Sequence, residues 1–140
     1  MRKAAWIFVA SIFLFISETN AQSALTPPQM PISAIDDYVN LLNRAAPFAD
    51  NPMSTILSAR RKGRTITEEI ALSHHADEAI FQYSETELKR MIVNGTTERY
   101  CSTNLKQFMN GNVSFEFVFY LRKKEFFRLT RTPLSCTMVN

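Results

Sequence analysis

Val113-Ser114-Phe115-Glu116-Phe117-Val118-Phe119-Tyr120-Leu121 is the stretch of this 140-residue sequence whose reading decides the fold. Successive side chains of a strand point to opposite faces. Val113, Phe115, Phe117, Phe119 and Leu121 therefore share one face, and Ser114, Glu116, Val118 and Tyr120 share the other. Aromatic and β-branched residues suit a pleated, half-buried surface. Three phenylalanines in one row are what a sheet covered by helices buries. Arg122 to Glu125 turn the chain, Phe126 to Arg131 return as the partner strand, and Thr132-Pro133 end it, since proline gives no amide to a ladder.

Upstream, Gly111 caps a short predicted helix over Thr103 to Asn110 that buries Leu105, Phe108 and Met109. Ser84 and Glu87 stand at capping-box spacing and open an earlier helix with the stripe Leu88, Met91 and Ile92. Asn94-Gly95 is expected to close it, with Gly95 as a left-handed cap. Ser73 to Gln82 is polar and aperiodic and reads as loop, with a helical turn over part of it as the alternative. Before it, Thr55–Arg60 and Thr65–Leu72 read as a second hairpin turning at Arg61–Arg64, where Gly63 can take positive φ. Ile66, Ile70 and Leu72 share a face, but Glu68 intrudes on it, which predicts an edge position or a bulge. Asp50-Asn51-Pro52 is a turn. Ile32, Ile35, Tyr38, Val39 and Leu42 lie on one side of a first helix, with Asp36 and Asp37 near its start and Ala46-Pro47 ending it. The expected fold is α+β: an antiparallel sheet of about four strands in two hairpins, helices packed on one face, and one disulfide.

The N-terminus is not part of that domain. Arg2 and Lys3 precede the apolar run Ala4 to Ile16, and polar residues then lead to Ala21. This is the pattern of a secretory signal over residues 1–21. The run is too short for the roughly 20 residues of a spanning helix. Residues 22–31 carry Pro27, Pro28 and Pro31 and predict a flexible leader, and residues 32–140 form the single domain. Export takes Cys101 and Cys136 into an oxidising compartment, where one intramolecular bridge is the expected outcome and two free thiols the alternative. The bridge would close a loop of about 36 residues, worth about 3.8 kcal/mol in chain entropy.

Charge is divided unevenly. Residues 22–88 hold 5 basic and 9 acidic side chains, and residues 89–140 hold 9 basic and 3 acidic. Two basic clusters stand out, Arg60, Arg61, Lys62 and Arg64 at one hairpin tip and Arg122, Lys123 and Lys124 at the other. If both tips lie at the same end of one sheet, seven cations converge and attract an anionic partner, either an envelope component or an acidic protein. The plainer reading is two solvated turns. His74 and His75 with Asp77 and Glu78 invite a metal site, but adjacent histidines rarely bind one ion together and no HExxH spacing exists. No G-x-S-x-G elbow, phosphate-binding glycine loop or nucleic-acid motif is present, so no cofactor and no nucleic acid are expected.

Cys101-Ser102, a short helix, Gly111, the aromatic strand, a second strand and Cys136 together resemble small bacterial exported proteins of the quorum-sensing-regulated virulence factor type and related periplasmic domains. The resemblance implies an α+β fold, a Cys101–Cys136 bridge and a periplasmic or secreted location, and it brings no catalytic residues. The function expected is a non-enzymatic periplasmic or secreted binding protein acting through protein or envelope contacts. The alternatives are an inhibitor or immunity-type protein that blocks a secreted enzyme with the His74 to Ser84 loop, and a small secreted hydrolase.

Overall fold

A computed structural model describes residues 28–73, 78 and 82–137. The expected signal, most of the leader and the two histidines lie outside the described residues. Helix α1 (Ile32–Ala45) is followed by strands β1 (Phe48–Asn51), β2 (Ser54–Lys62) and β3 (Thr65–Leu72). Helix α2 (Glu85–Cys101), a short helix α3 (Lys106–Asn110), strands β4 (Ser114–Leu121) and β5 (Lys124–Arg131) and a 3₁₀ turn (Pro133–Cys136) complete the chain. The five strands pair in the order β1-β2-β3-β4-β5.

Both expected hairpins form, β2 with β3 and β4 with β5. They are joined side by side by a parallel pairing in which Thr65 lies opposite Ser114 and Ala71 opposite Tyr120. The sheet is therefore mixed and five-stranded, where four antiparallel strands were expected. A parallel step needs a long crossover, and the segment carrying α2 and α3 supplies it. The additional strand, β1, occupies part of the stretch read as a turn; Phe48 pairs opposite Ile56.

One face of the sheet is buried under the helices. Phe115 stands against Tyr38, Tyr100, Phe108 and Phe117 with ring centroids 5.4–6.2 Å apart. Such offset and edge contacts add to the large apolar area these rings remove from water. Tyr100 donates from its hydroxyl to the Val113 carbonyl at 2.7 Å, so the one polar atom it carries into the core is satisfied. Cys101, at the end of α2, is bonded to Cys136 in the 3₁₀ turn. The bridge thus ties the segment after the last strand back to the helices.

Helix α2 does not stop at Asn94-Gly95. It continues six residues past Gly95 to Cys101. Glycine inside a helix costs about 1 kcal/mol against alanine, and tertiary contacts of the following turn outweigh it: Tyr100 is fully buried and Thr97 accepts from Arg131 Nε at 3.0 Å. Gly111 does cap α3, with φ −84°, but its glycine is required by space rather than by a left-handed backbone. A Cβ there would sit 2.6 Å from the Cβ of Met30. Met30 is in turn bonded by its amide to the Gly111 carbonyl at 2.9 Å, so the chain ahead of α1 already belongs to the fold.

Candidate binding cleft

Residues Leu88, Met91, Ile92, Gly95, Thr96 and Arg99 recur at three- and four-residue steps and form one face of α2. That face looks across a cleft of about 290 Å³ toward a floor of Ile70, Leu72, Phe117 and Phe119 and a wall of Asp50, Asn51, Met53 and Ser54. The cleft is chiefly apolar and open to solvent. Met91, 47% exposed, stands at its mouth. A Cβ added to Gly95 would meet nothing within 4 Å, so this glycine keeps part of the cleft empty. The sequence pattern had placed Leu88, Met91 and Ile92 in a buried stripe; only Leu88 is buried, and Met91 faces out.

At one end of the cleft lies a chain of polar groups. Glu68 is fully buried on the helix-facing side of β3, between Ala59 and Phe117 in the register. Tyr38 of α1 donates from its hydroxyl to Glu68 Oε1 at 2.9 Å. Arg99 of α2 places Nη1 3.5 Å from Glu68 Oε2 and 3.8 Å from Asp50 Oδ2. Arg99 Nε is buried without a protein partner. Burial pushes the Glu68 carboxyl above the usual carboxylate range, and the Arg99 charge opposes that. A carboxyl raised in the folded state favours folding in acid, and this contribution fades as pH rises through the folded value. Burial, followed by the charge of Glu68, also pushes the Tyr38 phenol upward.

Glu68 is thus neither at an edge nor at a bulge of its own strand, as its position among apolar residues had suggested. β3 is the central strand, and Glu68 is tolerated because α1 and α2 each bring it a donor. A bulge does occur in the facing strand: the register shifts between Ile56 and Ser58, leaving Leu57 as the extra residue, 41% exposed.

The two basic tips do not converge. Because β3 and β4 run parallel, the β2–β3 turn and the β4–β5 turn stand at opposite ends of the sheet, separated by the eight residues of β3, or about 25 Å at strand rise. At the first tip, Arg61 clasps both carboxylate oxygens of Asp36. Arg64 donates through Nη2 to the carbonyls of Met30 and Gly111, each at 2.7 Å, and through Nε to that of Asn112 at 3.0 Å. Arg60 pairs with Glu69 at 3.1 Å, and Lys62 is exposed. At the second tip Arg122, Lys123 and Lys124 are all exposed. In the segment His74 to Ser84, offered as an inhibitory loop, the described Glu78, Gln82 and Tyr83 are helical, which is the alternative allowed for part of Ser73 to Gln82, and Ser84 caps α2 as expected by accepting from the Glu87 amide. Among the described residues no cluster of three or more ligating side chains could hold a metal ion, and no helix is long and apolar enough to cross a membrane.

Fold and cleft define a class: an α+β domain whose mixed sheet carries helices on one face and leaves an apolar opening beside the longest of them. The pilotin EpsS of the Vibrio vulnificus type 2 secretion system shares this fold, with a TM-score of 0.61 and 9% identity over 74% of this chain and 89% of that one. A protein of Pseudomonas aeruginosa described as secreted also shares it, with a TM-score of 0.54 and 13% identity over 74% of this chain and 90% of that one. No protein-family model matches the chain, and no curated protein matches it by sequence. The likeness to small exported proteins read from the sequence therefore holds at the level of fold. The quorum-sensing-regulated class is not established by it.

Proposed function

We propose that this is a secretion- or envelope-associated protein of the cell exterior that works by binding a protein partner, and that the α2 cleft receives an apolar segment of that partner. The observation that carries the reading is the solvent-open apolar cleft, with methionines at its mouth and wall and with Gly95 keeping it empty. Methionine is flexible and polarizable and adapts to varied apolar partners. A concave apolar site with a few polar groups at one end is the usual form of a binding site. The fold shared with a type 2 secretion pilotin supports the same direction.

The test is site-specific photo-crosslinking in cells of the source organism. A benzophenone side chain at position 91 should give a discrete adduct whose partner peptide, read by mass spectrometry, is rich in apolar residues. The same probe at Thr130, exposed on the far face of the sheet, should not. Gly95→Phe fills the cleft and should abolish the adduct, while Gly95→Ala should preserve it. Equal adducts from both positions, or an adduct indifferent to Gly95→Phe, would overturn the reading.

A further inference from the structure

The face of the sheet turned away from the helices carries a second concavity, at the β4–β5 end. Leu57, Ala71, Leu72 and Tyr120 form its apolar part, and Glu69, Arg122 and Lys123 line its border. Two irregularities create it. The bulge in β2 delivers Leu57 to this surface. The two-residue turn after β4 holds Arg122 at φ 52° and Lys123 at φ 65°. Positive φ at both central residues is the pattern of a type I′ turn, for which Asn-Gly is the favoured pair. Neither arginine nor lysine adopts that region readily, and each does so here at a conformational cost.

The charges around the concavity are unequal in availability. Glu69 already accepts from Ser58 at 2.8 Å, from Arg60 at 3.1 Å and from Tyr120 at 3.4 Å. Glu125, across from Tyr120 in the register, is held by Arg128 at 2.8 Å. The local carboxylates are thus engaged within the sheet face, whereas Lys123 projects into solvent at the rim. Lys124 pairs opposite Leu121 and so belongs to the other side of the strand.

We infer that this concavity is a second docking surface, which takes an acidic-apolar peptide segment of a protein partner, seating an apolar side chain against Leu57 and Tyr120 and a carboxylate beside Lys123. Charge complementarity selects that occupant. An anionic bilayer gains only about 1 kcal/mol per nearby cation and needs a broad basic patch, which the separation of the two tips prevents. A peptide needs only the local match of one apolar contact and one charge. The α2 cleft opens on the other side of the sheet, and the two concavities share Leu72 at the end of β3.

The experiment uses a fluorescein-labelled synthetic peptide of alternating glutamate and leucine, with a lysine–leucine peptide and phosphatidylglycerol vesicles as comparison probes. Fluorescence anisotropy should show binding of the acidic peptide alone, weakened by salt. Lys123→Asp introduces a residue that tolerates positive φ better than lysine and should weaken binding about tenfold. Leu57→Ser, at an exposed position, should weaken it as well. Gly95→Phe should leave it unchanged, which separates this surface from the cleft. Equal binding by wild type and Lys123→Asp, loss with Gly95→Phe, or capture of vesicles in preference to the peptide would each overturn the inference.

Discussion

The two hairpin tips look alike in sequence and differ in what their cations do. The β2–β3 tip spends a glycine on its bend: Gly63 takes φ 60°, and Arg64 after it keeps an ordinary backbone. Two of its arginines turn inward. Arg61 fastens the sheet to α1 through Asp36, and Arg64 fastens it to Met30, Gly111 and Asn112. The β4–β5 tip has no glycine, bends through two cationic residues in the left-handed region, and leaves them exposed. A cluster of positive charge is therefore not one kind of feature. Where the neighbouring chain offers carbonyls and a carboxylate, it is structural; at the rim of the apolar hollow, Lys123 is exposed on a turn of positive φ.

The largest expected effect breaks the first tip. Arg64→Ala removes three hydrogen bonds to main-chain carbonyls and should cost about 2 kcal/mol in urea unfolding with the disulfide intact. An unchanged midpoint would mean that Arg64 is as dispensable as a solvated charge. The second effect has the opposite sign. Arg122→Asn with Lys123→Gly gives the β4–β5 turn the pair its geometry favours and should stabilise the domain by about 1 kcal/mol while weakening capture of the acidic peptide. A loss of stability on that change would show that the cations of this tip hold the fold too, and would erase the contrast. The smallest effect is Lys62→Gln, at an exposed position of the first tip, which should shift stability by less than about 0.5 kcal/mol. A larger shift would mean that this tip is a charge network as a whole, and not three arginines with defined partners.

Much of the fold was legible locally. The alternation in Val113 to Leu121 fixes a strand with Phe115, Phe117 and Phe119 inward, and all three are buried. Val118 is buried too, although it faces the other way; its row in the register is Glu69 and Arg128, long side chains that cover it. The bounds of β3 and the start of α2 at its Ser84 cap also follow from residues a few positions apart. The end of α2 does not. Asn94-Gly95 is a sound stop signal taken alone, and it is overridden because Arg99 and Tyr100 find partners little more than one turn further on. Half of the candidate cleft was likewise visible as the stripe Leu88, Met91 and Ile92, read as core because periodicity tells which residues share a face and not whether anything covers that face.

By itself the sequence determined the local elements, both hairpins, the pairing of the only two cysteines and the aromatic row at the centre of the core, since each depends on spacing within one segment or on a count of two. Tertiary structure alone decided that the hairpins join through parallel strands, that Glu68 enters the core under Tyr38 and Arg99, and that the two basic tips point away from each other. The reason is that pairing between β3 and β4 is set by how α2 and α3 cross the sheet and bury their apolar faces, and neither strand's own alternation carries any record of which neighbour it meets or in which direction.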